Sequence, residues 1–229
     1  MNTINFSALY ALLKKIPKLF IGLALCAFGI TLMLTANIGV NPWGTFTYGL
    51  VNVTGLSFGK LSQLIGLTII VGTLFMKIYP GVGTLFNMYF IGFFIDTFKS
   101  SGFLVQPDNF LIQIVMCLVG LVILSFGIYL YLSCGLGAGP RDGLMIALIR
   151  ITGKSVTLIK PVLEITVIIL GILLGGPLGV GTILVAVLGG KILDAIFKLM
   201  KYDPKENTHQ NLVDLAWILF PREDVKQSA

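Results

Sequence analysis

Gly137-Ala138-Gly139-Pro140-Arg141-Asp142 decides how the chain is read, because Gly39-Val40-Asn41-Pro42-Trp43-Gly44 stands before it as a near copy. Pro140 lies 98 positions after Pro42, and that offset holds without a gap from Gly22/Gly120 to Asp96/Asp194. Phe28-Gly29-Ile30 returns as Phe126-Gly127-Ile128, Thr54-Gly55 as Thr152-Gly153, and Gly81-Val82-Gly83-Thr84 as Gly179-Val180-Gly181-Thr182. Chance similarity between apolar stretches does not keep glycines, prolines and an aspartate in register for so long. The chain is a duplicated unit, so its fold and any site are read as two halves meeting.

Composition sets the solvent. Of 229 residues, 56% are hydrophobic and 11% charged, where a soluble domain carries about 25% charged residues. A mean hydropathy of +0.95 points the same way. The net charge of +6 comes mostly from basic residues at segment ends. It reads as membrane orientation, because a nucleic-acid surface needs contiguous Lys and Arg on a soluble face. Cys26, Cys117 and Cys134 are scattered through apolar runs, with neither metal-ligand spacing nor a disulfide framework. Lys14, Lys15 and Lys18 precede an apolar run that is too long for a cleavable signal, so a retained first transmembrane helix is expected.

Six segments approach the roughly 20 apolar residues that a bilayer span requires. They are 19–36, 61–78, 82–98, 110–134, 156–174 and 180–200. Two shorter pieces, 43–53 and 141–151, each follow a Gly-x-x-Pro turn. Proline suits the first turn of a helix, so each piece is expected to be a short helix. It either re-enters the membrane or lies flat at the interface, and re-entry is the favoured placement. The predicted fold is all-α and transmembrane: six helices in two inverted three-helix repeats, each with its half-helix. The expected organisation is a cytoplasmic segment 1–17, a first repeat 18–99, a linker 100–109, a second repeat 110–201 and a cytoplasmic tail 202–229. Within the tail, the apolar stretch 212–220 is a candidate for the membrane surface, and His209 reads as solvated. Placing both termini in the cytoplasm puts Arg141, Arg150, Lys154, Lys198, Lys201 and Lys205 inside, as the positive-inside rule asks. A bacterial inner membrane is the expected location. An odd number of spans per repeat then gives the halves opposite orientation.

The Gly-x-x-Pro turns are the first candidates for a site, because a helix N-terminus beside a chain break attracts anions and dipoles. Gly39, Pro42 and Trp43 form one wall of the candidate, and Gly137, Pro140, Arg141 and Asp142 the other. Packing turns, in which glycine lets helices approach, are the competing reading. Arg141 is placed to hold a carboxylate or phosphate. Asp96 and Asp194 are candidates to brace or gate the turn on their own side, or to pair with Lys99 and with Lys191 or Lys198. Glu164, part-way along an apolar helix, is a candidate proton-coupling or substrate group with Lys160 one turn away.

At Gly135-Leu136-Gly137-Ala138-Gly139-Pro140-Arg141-Asp142-Gly143-Leu144, followed by Thr152-Gly153, and at Gly39-Val40-Asn41-Pro42-Trp43-Gly44, the chain resembles the YczE/YitT family of bacterial membrane proteins over about residues 18–200. The resemblance implies an integral inner-membrane protein and supplies no substrate. The family pattern often places an aspartate after the tryptophan, where this chain has Gly44. The expected function is a small-solute transporter or channel-like protein with its site between the two turns. Alternatives are a membrane factor that assists or regulates a partner membrane protein, and a substrate-binding subunit of a larger transporter. An enzyme is not expected, since no embedded histidine, catalytic dyad or metal cluster is present in the sequence. No cofactor, metal or nucleic acid is expected. The expected partners are the lipid bilayer and a small solute.

Overall fold

The computed structural model describes residues 5–203 and 210–219. Among them the chain is wholly helical, with α1 (Phe6–Ala36), α2 (Pro42–Thr54), α3 (Phe58–Phe75), α4 (Val82–Ser100), α5 (Phe110–Leu132), α6 (Pro140–Thr152), α7 (Val156–Leu173), α8 (Val180–Leu199) and α9 (Leu212–Leu219). The boundaries follow local chemistry. Asn5, Asn41 and Ser57 accept backbone N–H groups at the starts of α1, α2 and α3. Pro42 and Pro140 open α2 and α6, and Gly55 and Gly153 close them in the left-handed conformation.

α1 and α5 run antiparallel through the centre. A Cβ on Gly29 would lie 2.5 Å from the Gly120 carbonyl oxygen, and one on Gly127 would lie 2.7 Å from the Cys26 nitrogen. Only glycine permits backbones this close. Residues separated by the repeat offset meet along this contact, with the Cys26 thiol 3.7 Å from the Leu124 carbonyl oxygen. Leu19, Leu23, Met33, Ile95, Cys117 and Leu121 fill the core around it.

The short helices cross over between the halves. α2 packs on α7, and α6 packs on α3. Thr45 donates to the Pro177 carbonyl at 3.0 Å, and Asn52 to the Gly175 carbonyl at 2.7 Å. The turns before them are exchanged in the same way. Gly39 and Gly137 have φ of 108° and 117°, values open to glycine and strained for other residues. Gly181 N–H donates to the Ile38 carbonyl, and Gly83 N–H to the Leu136 carbonyl, both at 2.7 Å. Each Gly-Val-Gly-Thr segment therefore receives the turn of the opposite half.

Five helices, α1, α3, α5, α7 and α8, are long and apolar enough to cross a membrane. The predicted span 82–98 forms α4 but falls short of their apolarity, since it carries Asn87, Asp96 and Lys99 and lies against α1, α3 and α6. The predicted span 61–78 begins three residues earlier, because Ser57 caps it, and ends at Phe75 before Lys77 turns left-handed. The apolar residues Phe75, Leu173 and Leu199 are 86%, 76% and 79% exposed, which suits lipid and not water. α9 lies across one end of the bundle, with Asn5 N–H donating to the Leu219 carbonyl and Leu212 N–H to the Pro80 carbonyl. His209 and Phe220 lie outside the described residues.

Candidate functional site

A cavity of about 200 Å³ lies between α1, α3, α4 and α5, and the first turns of α2 and α6 reach it. Its polar lining is Asn41, Ser62, Asn87, Tyr131, Arg141 and Asp142, set among apolar groups such as Ile30, Phe58 and Met88. Asn41 is already engaged, accepting from Gly44 N–H at 2.6 Å. Tyr131 is buried, while Asn87, Arg141 and Asp142 are half-buried.

The two half-helix starts meet here. The Arg141 guanidinium carbon lies 4.9 Å from the centroid of the Trp43 ring. That is cation–π distance, which fixes the guanidinium direction and lowers the cost of holding the charge away from water. Trp43 and Arg141 are equivalent residues of the duplication, as Cys26 and Leu124 are. The halves have diverged at this point of contact: one contributes the ring and the other the charge.

The predicted site residues divide into those at the cavity and those elsewhere. Pro140, Arg141 and Asp142 line it, and Trp43 backs it through Arg141. Pro42 is half-buried at the first position of α2 and outside the lining. Gly39 and Gly137 serve packing: a Cβ there would lie 2.5 Å from the Thr182 hydroxyl and 2.6 Å from the Thr84 hydroxyl. Asp96 does not brace the Gly39 turn; it accepts from the Ser57 hydroxyl and, at 2.9 Å, from Gly59 N–H at the start of α3. The predicted Asp96–Lys99 ion pair is not formed among the described residues. Asp194 pairs with Lys198 at 2.7 Å in an exposed position. Glu164 lines no described cavity, and its predicted pairing with Lys160 is not formed. Its equivalent Gly66 does line the cavity, so the two halves offer different α3 and α7 faces.

Sequence reasoning missed Asn41, Ser62, Asn87 and Tyr131 as lining residues. Asn41 and Asn87 carried a signal, as amides inside or beside apolar runs. Ser62 and Tyr131 carried none, because their roles come from tertiary placement.

A helical bundle with an apolar exterior and five helices long and apolar enough to cross a bilayer is that of an integral membrane protein. Residues 13–198 match the family described as "Family of unknown function (DUF6198)", and the chain belongs to this family. It is 40% identical over 177 residues to the uncharacterized membrane protein YczE of Bacillus subtilis, covering 76% of this chain and 81% of that protein. It is 33% identical over 187 residues to an uncharacterized protein of Haemophilus influenzae, covering 82% and 85%. No solved structure matches the chain.

Proposed function

We propose that the protein carries a small polar solute across a bacterial inner membrane, with both termini in the cytoplasm and the two repeats inverted about an axis in the membrane plane. The observation that carries this reading is the meeting of equivalent half-helix starts, Trp43 against Arg141, at the edge of a cavity that sets a few polar groups among apolar ones. Discontinuous helices whose N-termini converge between repeats are a recurrent way to bind solutes at mid-membrane. Arg141 supplies a fixed positive charge for a carboxylate or a comparable anionic group, and Asn41, Asn87 and Ser62 supply hydrogen bonds around it. A cavity of about 200 Å³ lies below the usual range for drug-sized ligands, which favours a small metabolite or an inorganic anion.

The test is a thermal-stability screen of the purified full chain against amino acids, small carboxylates, vitamins and inorganic anions, with Arg141→Ala run in parallel. A solute of this site raises the melting temperature of the wild type and not of the variant. The hit is then tested for flux in proteoliposomes. Binding without flux assigns the role of a substrate-binding subunit instead, and a broad panel without hits removes the solute reading. The inverted arrangement has its own test in single cysteines at Thr54 and Thr152, the equivalent ends of α2 and α6, with the native cysteines replaced. They label from opposite sides of the membrane, and labelling from one side breaks the arrangement.

A further inference from the structure

A second cavity, of about 270 Å³, lies at the end of the bundle crossed by the tail, between the α3–α4 turn, α6 and residues Gln210 and Asn211. The tail is fixed there by backbone bonds from Gln210 N–H to the Gly135 carbonyl at 3.0 Å and from Leu212 N–H to the Pro80 carbonyl at 2.9 Å. Lys77 and Arg150 both line this cavity, and none of its described lining residues is acidic.

The duplication shows that these two cations are not demanded by the fold. Lys77 corresponds to Gly175, and Arg150 to Asn52. In that other pair the Asn52 amide donates to the Gly175 carbonyl at 2.7 Å, closing the place with neutral groups. Both α3 and α7 end in the same backbone motif. Lys77 N–H bonds to the Leu74 carbonyl and Ile78 N–H to the Thr73 carbonyl, matched by Gly175 to Ile172 and Gly176 to Gly171. That motif puts its cap residue in the left-handed region, where glycine is the unstrained choice. Gly175 takes it with φ of 79°, whereas Lys77 sits there with φ of 58°. Lys77 thus keeps a cation where glycine is the unstrained choice, and it shares one cavity with a second exposed cation, an arrangement an anionic ligand can use.

We infer that Lys77 and Arg150 form an oxyanion site that takes a phosphate group, with the tail residues Gln210 and Asn211 as its outer wall. The group belongs either to free phosphate or to the headgroup of an anionic lipid, since the cavity stands at an end of the bundle where either can reach two exposed cations.

Lys77→Gly combined with Arg150→Asn places the neutral Asn52 and Gly175 pair at the equivalent positions of this cavity. Glycine relieves the cap, so the double variant folds at least as well as the wild type without ligand. The full chain in a neutral detergent is melted in sodium phosphate against sodium chloride of equal ionic strength, and in mixed micelles with phosphatidylglycerol against phosphatidylcholine. A rise of several degrees in phosphate that the double variant lacks supports a free oxyanion. A rise with phosphatidylglycerol alone, again lost in the variant, supports the lipid headgroup. No rise in either medium, or a rise that survives in the double variant, overturns the site. Arg150→Gln alone gives the same decision if the double variant does not fold. None of these outcomes depends on transport, so failure here leaves the reading of the first cavity untouched, and the converse also holds.

Discussion

The pairing of α3 with α4 and the lack of the same pairing between α7 and α8 are the sharpest contrast within the duplicated chain. In the first half Asp96 clasps the start of α3 through Ser57 and Gly59, and a Cβ on Gly92 would lie 2.5 Å from the Gly59 carbonyl oxygen. Gln63 adds a bond to the Tyr89 carbonyl at 2.8 Å. In the second half Ser155, Gly190 and Asp194 keep the identities of Ser57, Gly92 and Asp96, but Thr157 replaces Gly59. There Gly190 has nothing close to it, and Asp194 turns outward to Lys198. The side chain of Thr157 stands at the position of closest approach, where helices that touch at backbone distance have no room for a Cβ, and Pro161 replaces Gln63 one turn on. The cavity that Arg141 lines lies on the clasped side, between α3 and α4.

The largest effect comes from carrying the difference across. Gly59→Thr places a branched side chain against the Gly92 backbone and the Asp96 carboxylate. The expected cost is about 3 kcal/mol or more, read as a collapse of the melting temperature in detergent. A variant that melts with the wild type removes the close-contact explanation. Next comes Asp96→Ala, which leaves the Ser57 hydroxyl and the Gly59 N–H without their acceptor. The expected loss is about 2 kcal/mol in reversible unfolding, as for hydrogen bonds to a charged group. A loss no larger than that of an arbitrary surface substitution means the clasp does not hold α3 to α4.

The duplicated frame was open to sequence reading, the contrast between its α3–α4 and α7–α8 pairs was not, and the gap has physical causes. The duplication, the helix starts at Pro42 and Pro140 and the glycine stops at Gly55 and Gly153 are local signals, set by residues that restrict φ or lack an N–H. The same holds for the membrane environment, which composition alone indicates. What the chain does not display locally is which half each short helix packs against. Asp96 was read toward the Gly39 turn because both were assigned to one side of the membrane, yet its partners lie on α3, nearer along the packed pair. Glu164 was read as a site residue on the cost of burying a charge, and its helix faces away from the described cavities. Trp43 and Arg141 were both named, but their contact needed the fold to bring equivalent positions together.

The reverse graft sharpens the comparison with a smaller effect. Thr157→Gly completes the set of Ser, two Gly and Asp that forms the first half's clasp, while Pro161 still stands where the first half has Gln63. α7 and α8 then approach to the separation of helices in contact, about 8 Å between axes. Spin labels at Leu158 and Lys191, both exposed, report the change as a shortened distance distribution by pulsed electron resonance. An unchanged distribution assigns the gap to the packing of α2 on α7 instead.

Asp194 gives the smallest effect taken alone and the most informative one in combination. Its partner Lys198 and its own side chain are 77% and 63% exposed, and exposed ion pairs at this helical spacing contribute little. Asp194→Ala is therefore expected to leave the melting temperature unchanged within measurement error. If the clasp is latent in the second half, the same substitution made on Thr157→Gly removes a newly formed acceptor and is no longer silent. The double-mutant cycle then shows a coupling of about 1 kcal/mol between positions that do not interact in the wild type. Additivity in that cycle means that Asp194 stays with Lys198 even when α8 can approach, and that the first half's clasp requires more than the residues the two halves share.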